Sequence, residues 1–286
     1  MSTQIPENAV WKFFDSANPC GDALHFYHAN GFTAGVYTPL LEQLADQYQV
    51  SALNFRATWP DIGVPDRGIN WQSYADDLIA FIETHYQGPI IGVGHSMGAA
   101  CTVLAAHKRP ELFKSLVLIE PAMVSRRLAL LLKIMPSAIV KALEPTRGTL
   151  NKRDQWPDKA AYIDHSKKFR GNRRFAEETF LAMGESNIYP TSEQNWQLAY
   201  PKVWEAHNYT TAPNIMKPLT QLKMPCVGIR GKPSIFFSDA VWQQWRKQSP
   251  HHHFLENLDY GHLFPLENPK SCYQLIQKGL SLLAQS

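Results

Sequence analysis

Short apolar runs alternate with amphipathic stretches along the first 120 residues. The runs "DALHFYH" (22–28), "QVSALNF" (49–55), "PIIGVG" (89–94) and "SLVLIE" (115–120) have the length and composition of buried strands. Between them, "TPLLEQLADQY" (38–48) and "SYADDLIAFIETHY" (73–86) repeat apolar residues at helical spacing. Strands that alternate with helices predict βαβ units, and therefore an α/β fold whose mostly parallel sheet is covered by helices on both faces.

The alternation stops after Pro121. Residues 122–220 contain helix-like segments broken by prolines and no convincing strand, until the buried-strand pattern resumes with "MPCVGIR" (224–230) and "HHHFLEN" (251–257). A helix from Ser238 separates these two strands, and a closing helix begins at Asn268. We predict an α/β core of residues 1–121 and 221–286, with residues 122–220 inserted as a helical cap. Open α/β sheets bind ligands at the carboxyl ends of their strands, where such a cap would cover the site.

Composition removes several classes of function. A formal net charge of +3, without aromatic or glycine signatures near basic stretches, argues against nucleic-acid binding. The N-terminal stretch lacks a basic region followed by an apolar one, and no run approaches the length of a membrane span, so we expect a cytoplasmic protein without an integral membrane segment. The oligomeric state stays open, a homo-oligomer included.

Cysteine and histidine spacing gives no sign of a metal or a cofactor. The four cysteines are scattered without a C-x-x-C pair, which is typical of reduced, packed thiols. The triplet "HHH" at 251–253 lies on a predicted strand, whose successive side chains point to opposite faces and so cannot all bind one ion. We therefore expect neither a metal site nor a cofactor.

The stretch "IGVGHSMGAA" (91–100) places Ser96 between two glycines, after an apolar strand and before a helix-forming segment. A sharp strand-to-helix turn strains the backbone of its central residue, and side chains two positions away on either side would collide with it. Gly94 and Gly98 remove those side chains. The serine hydroxyl then stands exposed at the end of the sheet, which is the position of a nucleophile.

A serine hydroxyl needs a base and an oxyanion hole to act at neutral pH. Of eleven histidines, His262 is the best candidate base, because "LDYGHLFPLENP" places it in a loop between the last strand and the last helix. One oxyanion donor would be the N–H of Met97, directly after the nucleophile. The other would come from the turn "HANGF" (28–32), where we choose Phe32 over Ala29 and Asn30.

The motifs "HANGF", "GHSMG", "LVLIEP" and "YGHLFPLENP" resemble those of α/β-hydrolases with a helical cap. The resemblance implies a sheet of about eight strands and a Ser–His–acid triad in the chain order nucleophile, acid, histidine. It implies no particular substrate, because this fold hosts esterases, lipases, thioesterases, peptidases, carbon–carbon hydrolases and cofactor-free haloperoxidases.

The triad acid is the point at which this chain departs from the family pattern. The family's aspartate usually follows the strand that ends here at Arg230, but "GKPS" places Ser234 at that position. Glu120, at the end of the preceding strand, is our preferred acid, since some members of the fold keep their acid there. Asp239 is the alternative, and Asp259 or a dyad without an acid remain open.

Three features of the cap bear on substrate choice. Residues 121–220 hold 15 Lys and Arg against 9 Asp and Glu, concentrated in "KKFRGNRR" (167–174), which is either a solvated helix face or a landing site for an acidic substrate. "LALLLKIM" (128–135) is apolar almost all round and would be buried in the cap or line an acyl-chain pocket. Trp196, Tyr200 and Trp204 recur at a spacing that indicates packing.

These observations predict a serine hydrolase that cleaves a carboxylic ester or related acyl bond of a small to medium, apolar small-molecule substrate. A thioesterase, a carbon–carbon bond hydrolase and an inactive homologue that only binds its ligand are the alternatives.

Overall fold

The computed structural model describes residues 5–66, 68–191, 195–232, 234 and 237–285; the first four residues of the N-terminal stretch considered above lie outside them. The strands, in chain order, are β1 (Trp11–Phe13), β2 (Ala23–Tyr27), β3 (Gln49–Leu53), β4 (Ile90–His95), β5 (Phe113–Ile119), β6 (Gln155–Trp156), β7 (Ile188–Pro190), β8 (Trp196–Leu198), β9 (Cys226–Gly231) and β10 (His253–Asn257). The helices, in chain order, are α1 (Thr38–Ala45), α2 (Trp71–His85), α3 (Met97–Lys108), α4 (Arg126–Ile134), α5 (Ser137–Ala142), α6 (Thr146–Asn151), α7 (Lys159–Lys168), α8 (Glu177–Ser186), α9 (Lys202–Thr210), α10 (Met216–Thr220), α11 (Asp239–Gln248), α12 (Phe264–Glu267) and α13 (Pro269–Leu283).

The main sheet is mostly parallel, which confirms the predicted α/β class. Within the described residues it has seven strands in the order β1-β3-β2-β4-β5-β9-β10. β1 runs antiparallel to β3, and the remaining neighbours pair in parallel. The carboxyl ends of β4, β5 and β9 therefore lie side by side at one edge of the sheet.

Helices cover both faces of this sheet. Side chains of β4 and β5 alternate between two hydrophobic cores, because successive residues of a strand point to opposite faces. Leu116 and Leu118 belong to the core that also holds residues of α2 and α3. Val117 and Ile119 belong to the core formed with α1 and α13. Both faces are apolar and buried, which explains why these strands are almost continuously hydrophobic in sequence.

All six apolar runs that predicted strands contribute to the main sheet, and β1 is the addition. Its three residues are half-buried or exposed, so they form no apolar run that a sequence pattern could detect. The family resemblance implied about eight strands, and seven are present in the described part of the chain.

The inserted segment, residues 122–220, lies between β5 and β9 and adds no described strand to the main sheet. It is mostly helical, from α4 to α10, but it also contains an antiparallel sheet in the order β6-β8-β7. The expectation of a segment without strands was therefore wrong. Strands of two or three residues are too short to show a period of two. Trp196 lies in β8 and Trp204 in α9, so their spacing does not reflect one helix.

The apolar stretch at 128–135 departs from expectation more strongly. It forms most of α4, and no residue of α4 is fully buried. The prediction that this stretch would be buried in the cap is wrong, since Leu130 and Ile134 are 63% and 72% exposed. The alternative, that it lines an acyl-chain pocket, stays a prediction.

Other expectations concern membranes, thiols and metals. Among the described residues no helix is long and apolar enough to cross a membrane. The four cysteines are free, and three of them are buried. No group of three or more His, Cys, Asp or Glu residues in the described part of the chain is placed to hold a metal ion.

Candidate active site

Ser96 occupies a strained turn between β4 and α3. Its backbone has φ 54° and ψ −118°, in the left-handed half of conformational space that side chains other than glycine rarely adopt. A Cβ at Gly94 would lie 2.6 Å from the Ala99 Cα, and one at Gly98 would collide with the carbonyl oxygen of Tyr27. The two glycines therefore allow α3 to start directly against the end of β2. The Ser96 N–H donates to the carbonyl of Ile119 at 2.9 Å, which ties the turn to β5.

His262 lies in the loop between β10 and α12. This loop rests directly on the end of β9, since a Cβ at Gly231 would lie 2.6 Å from the Tyr260 carbonyl oxygen and closer still to that of Gly261. The contact brings the imidazole over the neighbouring strand ends. The His262 Nε2 lies 3.0 Å from the Ser96 Oγ, a hydrogen-bonding distance, across 166 residues of sequence.

Glu120 is the acid that contacts His262. It follows β5, has φ 48°, and is completely buried. Its Oε2 lies 2.9 Å from the His262 Nδ1. Its Oε1 accepts a hydrogen bond from the Gly231 N–H at 2.7 Å, and the Ser234 hydroxyl donates to Oε2. The carboxylate is thus held by a backbone amide and a hydroxyl on its two oxygens while it faces the imidazole.

Ser234, which replaces the family's usual aspartate, therefore contributes to the same site in another way. Its hydroxyl oxygen accepts from the Phe237 N–H at 3.1 Å, so its proton is free to point at Glu120. Sequence reasoning treated this serine as a loss. The signal that could have identified its role was its position. A serine where the family usually has its acid could have been interpreted as a hydrogen-bond partner for a carboxylate on the neighbouring strand.

The hydrogen-bond pattern assigns the tautomer of His262. A carboxylate only accepts, so the Nδ1 that faces Glu120 carries a proton in the neutral ring and the Nε2 that faces Ser96 is free to accept one. Ser96 and His262 are each 8% exposed. Since little water screens this site, the attraction between the Glu120 carboxylate and a protonated imidazole is stronger than it would be at the surface.

His95, next to Ser96, links the Ser96 turn to the loop that carries His262. Its Nε2 lies 2.8 Å from the His262 carbonyl oxygen, which can only accept, so Nε2 carries the proton. Its Nδ1 accepts from the Tyr37 hydroxyl at 2.7 Å, and that hydroxyl accepts from the Ala29 N–H at 3.3 Å. Burial, and to a lesser degree the proximity of the His262 ring, lowers the pKa of His95 to about 3 and keeps the ring neutral. The sequence did not predict this series of hydrogen bonds, because nothing in the residues around "GHSMG" indicates a contact between His95 and Tyr37.

The alternative acids lie elsewhere. The carboxylate of Asp239 forms an ion pair with Arg230 at 2.6 Å, and its side chain is 69% exposed. The hydrogen bond from Arg230 lowers the pKa of Asp239. Asp259 is exposed, and its backbone carbonyl accepts from Arg174. The structure thus brings Glu120, and neither aspartate, against the Nδ1 of His262.

The predicted oxyanion donors lie at the start of α3 and in the turn after β2. Met97 is the first residue of α3, where backbone N–H groups have no partner within the helix. Phe32 follows Gly31, whose φ of 81° turns the chain after β2. The inserted segment holds this turn, because the Asn30 side chain donates to the Glu205 carbonyl at 3.0 Å and the Thr33 N–H to the Asn187 Oδ1 at 3.0 Å. The role of the Phe32 and Met97 amides stays a prediction.

Comparison with known proteins gives local sequence matches. The chain is 35% identical over 100 residues to a 2-(acetamidomethylene)succinate hydrolase of Mesorhizobium japonicum, a match that covers 35% of this chain and 36% of that protein. It is 28% identical over 163 residues to a type I acyl-CoA thioesterase of Penicillium brevicompactum, covering 50% of this chain and 35% of the thioesterase. The chain therefore spans about a third of the length of the curated relatives it matches.

Structural similarity extends over nearly the whole chain. The crystal structure of E-2-(acetamidomethylene)succinate hydrolase superimposes with a TM-score of 0.77, covering 96% of this chain and 99% of that one at 20% identity. At this identity the likeness shows the fold alone. A model of the alpha/beta hydrolase family matches residues 25–275, which include most of β2, the Ser96 turn, Glu120 and the His262 loop. This match extends over most of the chain and agrees with the topology of the sheet, so the protein is a member of the alpha/beta hydrolase family.

Proposed function

We propose that this protein is a serine hydrolase that cleaves a carboxylic ester, or a related acyl bond, of a small to medium apolar substrate through an acyl-enzyme intermediate. The observation that carries the proposal is the continuous hydrogen-bonded series from the Ser96 Oγ through His262 to the Glu120 carboxylate, at 3.0 and 2.9 Å. Nucleophile, base and orienting acid at these distances are the minimal machinery for acyl transfer.

The proposed reaction begins with attack of the Ser96 Oγ on the carbonyl carbon while the His262 Nε2 takes the hydroxyl proton. Glu120 stabilises the imidazolium that forms, and the N–H groups of Met97 and Phe32 hold the negative oxygen of the tetrahedral intermediate. The intermediate collapses to acyl-Ser96 as His262 returns the proton to the leaving group. Water, deprotonated by His262, then attacks the acyl group, releases the carboxylic acid and restores the serine.

The preference for an apolar acyl group rests on the residues that follow the acid. Met123 and Val124 are partly buried, and the Ala122 N–H donates to the Ser96 carbonyl at 3.0 Å, so this apolar segment runs beside the nucleophile. We assign residues 122–220 as a cap over the site, which also holds the Phe32 turn through Asn187 and Glu205. The free, mostly buried cysteines favour a reducing compartment, and we therefore place the protein in the cytoplasm.

Thioester hydrolysis is the second candidate. It is favoured by the match to a fungal acyl-CoA thioesterase over half of this chain, and by the excess of Lys and Arg in residues 121–220, which suits a phosphate-bearing thioester. The same Ser96, His262 and Glu120 would perform it. Parallel assays with p-nitrophenyl esters and acyl-CoA thioesters of matched chain length distinguish the two by the ratio of kcat/KM.

The first test is labelling with a fluorophosphonate, which reacts with a serine that is already activated by a base and an oxyanion hole. Intact-mass analysis should find one adduct on the wild-type protein and none on Ser96→Ala. Ser281→Ala, a substitution at an exposed serine of α13, is the matched control and should keep the adduct. Folded wild-type protein that forms no adduct would contradict the proposed hydrolase and favour a binding protein without activity.

A further inference from the structure

The first two helices of the inserted segment expose an apolar surface. Single exposed apolar side chains are common on soluble proteins, but a contiguous group marks an interaction site. The side chains of this group are between 41% and 72% exposed and fall within 16 residues of chain. We call the group the α4–α5 surface; its members are Leu128, Leu130, Leu131, Ile134, Ile139 and Leu143.

Helix geometry places the exposed side chains of α4 on one side. Successive residues of a helix are rotated by about 100°, so Leu130, Ile134 and Leu131 project within an arc of about 100°. The less exposed Ala129 and Leu132 project from the opposite side of α4. The apolar face of α4 is thus turned outward, the reverse of what a surface helix in a globular protein usually does.

Positive charge accompanies this apolar face. Arg126 and Lys133 project close together along one edge of α4, Arg127 lies within the face, and Lys141 extends from α5. All four are exposed, and none forms an ion pair with a described acidic residue. The acidic residue of this stretch, Glu144, is paired with Arg147 at 2.9 Å.

We propose that the α4–α5 surface docks on the headgroup region of an anionic lipid bilayer, with α4 lying in the plane of the interface. An apolar face bordered by cations matches such a surface, where leucine and isoleucine side chains enter the acyl boundary and Arg and Lys meet lipid phosphates. A second copy of this chain fits less well. In a twofold interface the same patch lies on both partners, so the four cations would face four cations.

The surface lies close to the proposed catalytic residues along the chain. The Ala122 N–H donates to the Ser96 carbonyl at 3.0 Å, and α4 begins at Arg126. Four extended residues span at most about 14 Å, so the start of α4 is held near the nucleophile. Docking would therefore place the site at the lipid interface, where apolar substrates concentrate. The docking itself does not depend on the proposed hydrolase activity.

The experiment is co-sedimentation of the full chain with sucrose-loaded vesicles at 0.1 M salt. Vesicles of phosphatidylcholine with 30% phosphatidylglycerol are compared with vesicles of phosphatidylcholine alone. We expect binding to the anionic vesicles, binding to the neutral ones weaker by about tenfold or more, and a decrease as salt rises. Leu130→Ser/Ile134→Ser should lower the partition coefficient on anionic vesicles by about tenfold or more. Arg126→Gln/Lys133→Gln should abolish most of the preference for anionic lipid.

Matched variants separate docking from folding and from catalysis. Leu181→Ser, at a 57% exposed leucine of α8, should bind like the wild type, and circular dichroism melting should show that all variants are folded. Ser96→Ala should keep vesicle binding whether or not the protein is a hydrolase. Absence of wild-type binding to anionic vesicles would overturn the proposal, as would equal loss in Leu181→Ser. A dimer in sedimentation equilibrium that requires Leu130 and Ile134, without vesicle binding, would assign the surface to a second copy.

Discussion

Glu120 is placed by its backbone as much as by its side chain. It directly follows β5, and its N–H donates to the Ile229 carbonyl of β9 at 2.8 Å, so the residue bridges two neighbouring strands. From this position its carboxylate reaches the Gly231 amide and the His262 ring together. Glu120 reaches His262 from the end of β5, one strand farther away than β9, and the longer side chain of a glutamate spans this additional distance. An aspartate placed after β9 would not need to span it.

Replacement of Glu120 by Gln should lower kcat/KM by about 10³- to 10⁴-fold while the protein stays folded. The neutral amide cannot stabilise the imidazolium, and it no longer selects the tautomer in which Nε2 accepts the serine proton. The measurement is kcat/KM toward a p-nitrophenyl ester.

Asp239→Asn is the control for this prediction and should change kcat/KM by less than about threefold, because exposed Asp239 pairs with Arg230 instead of His262. The double variant Glu120→Gln/Ser234→Asp should recover at least about tenfold, since it moves the carboxylate to the neighbouring strand. A large loss in Asp239→Asn with a small one in Glu120→Gln would reverse the assignment of the acid.

At the scale of elements, β2 and β3 are joined by histidines as well as by the sheet. The Nε2 of His25 accepts from the Leu53 N–H at 3.0 Å, and the Nε2 of His28 accepts from the Phe55 N–H at 2.9 Å. Both rings are buried. Burial lowers the pKa of His25 to about 3 and that of His28 to about 4. Protonation at Nε2 would place an N–H against each backbone N–H and break the bond.

These histidines predict a loss of stability below neutral pH. Their pKa values are about 3 and 4 in the folded protein but 6.5 in the unfolded chain, so the unfolded state binds more protons between these limits. The free energy of unfolding should therefore fall as the pH drops from 7 to 5, by up to about 1.4 kcal/mol per pH unit for each such histidine. Urea unfolding at several pH values measures the slope.

The variant His28→Gln tests whether His28 contributes to this slope. Glutamine cannot take up a proton in this range. The slope of the free energy of unfolding against pH should therefore decrease by the contribution of one histidine. A free energy of unfolding that is equal at pH 5 and pH 7 in the wild type would contradict the argument.

At the scale of the whole molecule, one buried asparagine connects the inserted segment to the core. Asn208 of α9 is completely buried. Its Oδ1 accepts from the Tyr74 hydroxyl of α2 at 2.8 Å, and its Nδ2 donates to the Asn30 Oδ1 at 2.9 Å and to the Tyr200 hydroxyl at 2.8 Å. Asn208 thus connects the turn that precedes Phe32 to Tyr74 of the core and to Tyr200 of the inserted segment.

Asn208→Ala should lower the free energy of unfolding by about 2–4 kcal/mol, because it leaves buried hydroxyl and amide groups without partners. It should also lower kcat, since the turn that carries Phe32 loses the hydrogen bond from Asn208 to Asn30. Asn151→Ala, at an exposed asparagine of the same segment, should stay within about 0.5 kcal/mol of the wild type. Urea unfolding and esterase assays of both variants provide the comparison, and equal stability of the two would show that this network does not couple the two parts.

The sequence by itself determined the alternating α/β pattern, the six apolar runs of the main sheet and the serine between two glycines. These features depend on local periodicity and on backbone geometry, which neighbouring residues control. Only the tertiary structure decided that Glu120 meets His262, that Ser234 donates to that carboxylate and that His95 joins Tyr37. Those contacts join residues that are distant in the chain, so they depend on the order of strands in the sheet and on how closely the loops pack. The outward orientation of the apolar face of α4 was also decided by the tertiary structure. The pattern of apolar residues shows that a helix has an apolar face, but it does not show what covers that face.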